Sequence, residues 1–391
     1  MNKDEINIIF LGESYLGGMA GSKRIQNIIN PFLKMGDVTI SNLIIANPNE
    51  TIDADFYGTK NKVKYRIINF TTNPLSFFNF YYSGFKFIAA SKINESRNIL
   101  YCYDNPTAFN FLFILFAKSK KMKIVVDMVE DYNLLDKKKL LFTQKIKIFI
   151  QNILLNNLNL YTDAVIVISE YLKNFTEKIV KKKAPVYYLP IMVDKLQILP
   201  SIKESNGLKI FYGGSFGEKD GVICLLKAFE KVSCKFPNAQ MILTGRPAKA
   251  GMHEVLQYIE NSGVKEKIKF LGYLNDSEYY STMSNCDIFC ATRINSNYAN
   301  AGFPFKLGEM LATGKPVVTT YIGDIPKYLE NKKNAIMVEP GSVDEIANGL
   351  IFLIENPERA AEIGEEGKKV VLEFFNATIE VEKLKLFLLE I

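Results

Sequence analysis

A chain of 391 residues exceeds what one hydrophobic core usually supports, and 48% hydrophobic with 23% charged residues leaves no room for a large disordered share. The net charge of +6 is uneven: residues 1–200 hold 26 Lys and Arg against 17 Asp and Glu, and residues 201–391 hold 22 against 25. A cationic first half suits an anionic surface, polymer or lipid headgroup, or else is a solvated lysine-rich face; with no recognised binding module beside the charge, nucleic acid is not the expected partner.

Apolar runs of strand length alternate with segments of helical period along the chain, the pattern of βαβ units in parallel sheets. In the first half strands are expected at 6–11, 38–45, 63–68, 98–103, 123–127, 164–168 and 186–189. The polar stretch 201–207 reads as a linker, followed by strands at 208–212, 240–244, 267–271, 287–291, 316–319 and 335–338 and by helices that include 222–236 and 343–355. The expected fold class is α/β, with doubly wound domains at 1–200 and 201–373. In such sheets ligands sit beyond the carboxyl ends of the strands.

The run 6–11 is too short for the core of a signal peptide, and the longest apolar stretch, near 109–117, falls below the ~18 residues of a spanning helix. A cytoplasmic location is expected. The five cysteines form neither a C-x-x-C pair nor a cluster with histidine, and Cys286 and Cys290 read as buried packing residues. The single histidine, His253, reads as surface and leaves no ordinary zinc site or histidine-centred triad to assemble.

The most informative segment, Ala301-Gly-Phe-Pro-Phe-Lys-Leu-Gly-Glu309, turns a loop into a helix. Gly302 and Pro304 shape the entry, Lys306 and the first-turn amides can meet an anion, and Glu309 projects one turn later. A diphosphate joined to a ribose has that layout, with charge-assisted hydrogen bonds of about 1.5–3 kcal/mol each. Gly302, Phe303, Pro304, Phe305, Lys306, Leu307 and Glu309 are the expected donor-side residues. Taken alone, the segment is also an ordinary helix start with a surface lysine and glutamate.

The segment resembles the family-4 retaining glycosyltransferases of the GT-B fold, in which two glutamates eight positions apart mark the donor site. Glu309 matches the second, which implies that it binds the ribose hydroxyls of a nucleotide. The first, which reaches the transferred sugar, falls at Ala301. The wording is similar to a branch with Phe-Pro-x-Lys-x-x-Glu, which implies a catalytic Lys306 beside the diphosphate. The resemblance further implies two Rossmann-like domains facing a cleft, with a last helix, 374–391, packing back on the first. It implies a nucleoside-diphosphate sugar as substrate and neither an obligatory metal nor another cofactor, since lysine and helix amides can stabilise the leaving diphosphate.

Shorter matches accompany it. The turn Gly213-Gly214-Ser215-Phe-Gly-Glu-Lys219-Asp-Gly221 lets backbone approach a phosphate. It is similar to the family's first loop of the second domain, with Ser215 in place of an arginine and Lys219 shifted by one. Thr244-Gly-Arg246 and Leu271-Gly272-Tyr273 match loops that border the donor, and Gly272 and Tyr273 are the base-side candidates. Further matches at 163–169, 189–194 and 323–329 extend the resemblance over nearly the whole chain.

In the first half, the glycine-rich stretch 10–24 lacks the G-x-G-x-x-G spacing of a dinucleotide fingerprint. It resembles the family's N-terminal glycine loop, which implies that Gly17 and Gly18 lie by the acceptor. Asp127 and Glu130 follow a strand at its carboxyl end, where a carboxylate can orient an acceptor hydroxyl or take its proton, and can equally cap a helix. Residues 137–155, basic and apolar, and the aromatic-dense 77–87 can face an anionic membrane and a lipid-linked acceptor, or can be core-facing helices with a solvated lysine edge.

The expected function is retaining transfer of a sugar from a nucleoside-diphosphate sugar to a hydroxyl of a saccharide or lipid-linked acceptor, in cell-surface polysaccharide or glycolipid synthesis. The alternatives are a nucleotide-sugar epimerase or hydrolase and a non-catalytic nucleotide-sugar binder, the last suggested by Ala301.

Overall fold

The computed structural model describes residues 5–16, 20–46, 57–69, 74–134, 141–181, 183–194, 208–246 and 251–391. The chain packs as two compact units, Met1–Pro190 with Ala377–Ile391, and Ile191–Asn376. Each is built around one sheet of mostly parallel strands, because runs such as Ile6–Gly12 and Ile288–Ala291 are apolar on both faces and need helices on each side to bury them.

Unit 1 contains β1 (Ile6–Gly12), β2 (Val38–Ala46), β3 (Tyr57–Lys60), β4 (Val63–Asn69), β5 (Arg97–Tyr103), β6 (Lys123–Met128), β7 (Ala164–Val167) and β8 (Val186–Tyr188). Their order is β3-β4-β2-β1-β5-β6-β7-β8. The chain winds outward from β1 through β2 to β4, then crosses to β5, so the sheet reverses direction between β1 and β5. All pairs are parallel except β3 with β4.

The strand β3 is the one element of this sheet that the sequence pattern does not announce. Its residues are exposed or half-exposed, so no apolar run marks it. It is joined to β4 by a two-residue turn in which Asn61 and Lys62 both have positive φ, 50° and 70°, the geometry that suits a hairpin. Lysine in place of the usual glycine hides that turn.

Unit 2 contains β9 (Lys209–Gly213), β10 (Gln240–Thr244), β11 (Ile268–Phe270), β12 (Ile288–Ala291), β13 (Val317–Thr320) and β14 (Ile336–Val338), ordered β11-β10-β9-β12-β13-β14 and all parallel. Its reversal lies between β9 and β12. Phe211, Phe229, Phe289, Leu225 and Leu350 are fully buried around this sheet.

The division falls after Pro190 and not at residue 200, because the backbone N–H of Val193 donates to Phe375 O at 2.8 Å and ties residues 191–193 to unit 2. The expected linker at 201–207 lies outside the described residues. The helix Ala377–Glu390 belongs to unit 1: Val381, Leu384 and Leu388 are buried, Phe387 stacks on Tyr187 with ring centroids 4.7 Å apart, and Lys385 pairs with Asp37.

The aromatic segment 77–87 lies in the helix Pro74–Ser91 and divides between core and surface. Phe80, Tyr81 and Phe87 are buried, and a Cβ at Gly84 would stand 2.3 Å from the Phe113 ring. Glycine admits the ring, and Phe77, Phe78 and Tyr82 are exposed. Cys286 and Cys290 are buried and His253 is exposed. Among the described residues no helix is long and apolar enough to cross a membrane.

Candidate active site

The reversal between β9 and β12 places two loops side by side at the carboxyl end of the unit 2 sheet, where a doubly wound domain takes its ligand. After β9 the chain runs through Gly214 and Ser215 to a short turn, Glu218–Asp220. The carboxylate of Asp220 accepts from Ser215 Oγ at 2.7 Å and from the Gly217 amide at 3.0 Å, which fixes the loop. Gly221 has φ +65°, and a Cβ there would lie 2.1 Å from Thr292 O, so only glycine fits. The Ile294 amide donates to Lys219 O at 3.0 Å, and Lys219 Nζ stands 4.5 Å from the centre of the Tyr298 ring. Ser215 and Lys219 are thus held in one loop pair, with Ser215 exposed.

The loops after β10 and β11 join them. A Cβ at Gly245, φ +148°, would come 1.7 Å from Gly214 O, so these loops touch through backbone alone. Gly272 O accepts from the Gly245 amide at 2.9 Å and from Thr244 Oγ1 at 2.7 Å. The Arg246 guanidinium lies 4.2 Å from the centre of the half-exposed Tyr273 ring. The two expected donor-side residues Arg246 and Tyr273 therefore form a stacked pair beside Gly214, Gly245 and Gly272.

The segment 301–309 enters from β12 through the short helix Asn297–Ala301, capped by Ser296 Oγ. Pro304 then opens the helix Phe305–Ala312. Lys306 Nζ stands 4.7 Å from the centre of the Tyr279 ring, which itself borders Gly213 at the end of β9. One turn on, the nearly buried Glu309 carboxylate accepts the Tyr280 hydroxyl at 2.8 Å. Burial first, and then the Glu309 charge, push the Tyr280 phenol far above its ordinary pKa, so it remains a hydrogen-bond donor. A lysine, a helix start and a held carboxylate follow one another within a turn, and a guanidinium stacks on a phenol ring in the loops after β10 and β11.

Not every residue of the segment faces a ligand. The side chains of Phe303, Phe305 and Leu307 are buried, contrary to the donor-side expectation. Phe303 packs edge-on against Tyr328 and Phe375 at 5.9 and 5.7 Å. Pro304 and Ala301 are buried as well, and Gly302 is half-buried. Gly308 is required for packing: a Cβ there would stand 2.9 Å from both Ile191 and Val193. Tyr279, Tyr280 and Tyr298 are site neighbours that the sequence pattern does not announce.

Unit 1 has its own reversal, between β1 and β5. Asp127, expected to face an acceptor, is instead fully buried. Arg24 Nε and Nη2 donate to its two oxygens at 2.8 and 2.9 Å, and Tyr101 Oη donates to Oδ2 at 2.8 Å. The same guanidinium donates to Leu189 O and Pro190 O, at 3.2 and 3.1 Å. With both oxygens engaged, Asp127 is the counter-ion of a buried arginine and not a base open to an acceptor. Glu130 is half-buried, and its carbonyl accepts from Asn105 Nδ2 at 2.8 Å. The neighbouring Asp131, by contrast, takes a capping role: its Oδ1 accepts from the Asn133 amide at 3.0 Å.

A residue absent from the sequence reading stands beside them. Asp104 directly follows β5, has φ +66°, and accepts the Tyr132 hydroxyl at 2.6 Å through Oδ2. Its Oδ1 is out of solvent, although the residue as a whole is half-buried. Burial raises the carboxyl to about 7; Glu130 and Asp127 add to the rise, against the hydrogen bonds from Tyr132 and the Asn105 backbone. Gly17 and Gly18 lie outside the described residues. Among the described residues no group of three or more His, Cys, Asp or Glu side chains has the geometry to hold a metal ion.

Residues 196–370 match the family model for glycosyl transferases group 1, and the stretch includes every site residue of unit 2. This stretch is a glycosyl transferases group 1 domain. The chain is similar to the uncharacterized glycosyltransferase YqgM of Bacillus subtilis, 26% identical over 54% of this chain and 56% of that one. It is also similar to a phosphatidyl-myo-inositol mannosyltransferase of Mycobacterium leprae, 28% identical over 42% of this chain and 43% of the relative. The chain thus spans about half the length of these relatives. A solved structure, Anabaena HepE in complex with UDP and glucose, superposes with a TM-score of 0.71 at 17% identity, covering 98% of this chain and 99% of that one. The fold is GT-B: unit 1 and the unit that contains the group 1 domain are its two Rossmann-like domains.

Proposed function

We propose that the protein is a retaining glycosyltransferase in which unit 2 holds a nucleoside-diphosphate sugar and unit 1 presents an acceptor hydroxyl. The observation that carries this reading is the carboxylate of Glu309, held by Tyr280 one turn into the helix Phe305–Ala312, whose first turn holds Lys306. Glu309 would accept the ribose hydroxyls. Lys306, Lys219 and the first-turn amides would bind the diphosphate, and the Arg246–Tyr273 pair would border the base.

In the proposed reaction the acceptor oxygen bonds to the anomeric carbon on the face from which the diphosphate leaves. The bond from that carbon to the diphosphate oxygen breaks, and the departing oxygen takes the acceptor proton. Lysine and amide dipoles aimed at the diphosphate stabilise its growing charge, so no metal or other cofactor is invoked. The family's first glutamate has no counterpart at the buried Ala301, which leaves the sugar to contacts other than a carboxylate at that position. The acceptor is a saccharide or lipid-linked hydroxyl, in polysaccharide or glycolipid synthesis, and the protein works at the cytoplasmic side, peripheral to an anionic membrane.

A panel of UDP- and GDP-sugars tests this reading. Nucleotide release that depends on an added acceptor supports transfer. Isomerised sugar, acceptor-independent release, or tight nucleotide-sugar binding without any turnover overturns it in favour of an epimerase, a hydrolase or a binder.

A further inference from the structure

The helix Phe142–Asn156 of unit 1 buries only Gln151 and Leu155 and leaves most of its surface open. Phe142, Ile146, Phe149 and Ile153 recur at spacings that, at 3.6 residues per turn, place them within about 60° of one another. That arc lies opposite Gln151 and Leu155. The four side chains are 76%, 44%, 65% and 50% exposed. They form a continuous apolar stripe on a helix whose other edge is already seated on its own domain, and such stripes mark a partner or a membrane.

Charge selects the occupant. Lys145 and Lys147 are exposed and lie on either side of the stripe, about 70° and about 130° from its centre around the helix. From residue 137 to 162 the sequence holds five lysines and neither Asp nor Glu. Lysine stems can lie along an apolar surface while their ammonium groups reach anionic headgroups, and aromatic and branched side chains between them enter the acyl boundary. A second copy of this chain would set lysine against lysine. With no spanning helix among the described residues, the fitting orientation is parallel to the surface.

We propose that the helix Phe142–Asn156 lies along an anionic lipid surface, with Phe142, Ile146, Phe149 and Ile153 inserted and Lys145 and Lys147 among the headgroups. This deepens the peripheral reading above and rests on it. The stripe would hold unit 1 against the layer that carries a lipid-linked acceptor.

Co-sedimentation of the full chain with phosphatidylcholine vesicles, with and without about 30% phosphatidylglycerol, reads the proposal. Binding should be at least about tenfold tighter to the anionic vesicles and should fall steeply with salt. Lys145→Ala with Lys147→Ala should weaken it about 25-fold, near fivefold per lysine. Phe142→Ser with Phe149→Ser should weaken it at least about tenfold at an unchanged melting temperature, since both rings are exposed. The chain contains no tryptophan, so Phe149→Trp supplies a single reporter whose emission should shift to the blue on adding anionic vesicles.

Equal binding to both vesicle types, absence of binding, variants that bind like the parent, or an unmoved indole emission in Phe149→Trp overturns the proposal. So does a parent dimer in sedimentation equilibrium that Phe142→Ser with Phe149→Ser makes monomeric, which would give the stripe to a second copy. Titration of the same samples with UDP and with GDP separates the two readings. Docking without binding of either nucleotide sinks the transferase assignment alone, and nucleotide binding without docking sinks the membrane assignment alone.

Discussion

The Tyr280 hydroxyl donates to Glu309 Oε1 at 2.8 Å, so the carboxylate that would receive the ribose is aimed by a neighbouring helix, Asp276–Ser284. Glu309→Ala should lower UDP or GDP affinity at least about tenfold, the equivalent of roughly 1.4 kcal/mol, by isothermal titration. Tyr280→Phe should lower it about three- to tenfold, because the carboxylate remains but is no longer held. Unchanged affinity in Glu309→Ala would remove the residue from the donor site.

The stacking of Arg246 on Tyr273 and the position of Lys306 make separable predictions. Tyr273→Ala should weaken nucleotide binding by about two- to fivefold and leave inorganic pyrophosphate binding as it was, since the ring would border only the base. Lys306→Ala should weaken both ligands by about tenfold. Equal loss of pyrophosphate in Tyr273→Ala would place that ring by the phosphates.

The buried Arg24–Asp127 pair predicts a stability phenotype. Asp127→Ala leaves a guanidinium without its counter-ion and should cost about 3–5 kcal/mol in urea unfolding, and Arg24→Met should cost a similar amount. The double variant Arg24→Met with Asp127→Leu should recover much of that loss. An Asp127→Ala protein that is fully stable but inactive would instead restore Asp127 to the list of bases.

Asp104 predicts a pH dependence. Its folded-state carboxyl, raised to about 7 from an ordinary 3.8, binds its proton more tightly than the unfolded chain does. Stability therefore falls as pH rises from about 4 to about 7, and levels off beyond. The groups that act on it are Tyr132, Glu130, Asp127 and the Asn105 backbone. Asp104→Asn, which tolerates the left-handed backbone, should flatten melting temperature against pH across that window. A parallel, equally sloped profile would assign the slope to other groups.

Gly221→Ala places a methyl 2.1 Å from Thr292 O at a φ of +65°. It should destabilise unit 2 by at least about 1–3 kcal/mol and lower nucleotide affinity at the same time, because the two loops of the site meet there. Stability at the parent's level would show that the loops can part without cost.

The strands were legible because each core strand is an apolar run bounded by turns, and all but one fall within a residue or two of the expected positions. The exception, β3, lacks an apolar run. In the candidate site, the turn from loop to helix at Phe305–Ala312 was legible because Gly302 and Pro304 mark the entry, while the roles expected of Lys306 and Glu309 came from the family resemblance. Which side chains of that loop and helix turn inward was not legible: Phe303, just before the helix, lies in the core because Tyr328 and Phe375 pack on it from distant segments, and Leu307 is buried as well. Long-range partners were hidden for the same reason. Nothing near Asp127 in sequence announces Arg24, which reaches it from 103 positions away, and Tyr280 approaches Glu309 from a separate helix.

The return of the helix Ala377–Glu390 to unit 1 sets the order in which the protein can be completed during synthesis. Residues on both ends of the chain build that unit, so its first 190 residues emerge from the ribosome with the groove for Leu384 and Leu388 uncovered. Unit 2, translated in between, holds all of its own strands and can finish packing first. The unit that begins the chain is thus the last to close, and a protein cut back to residue 376 would keep the whole of unit 2 while unit 1 lacked its final helix.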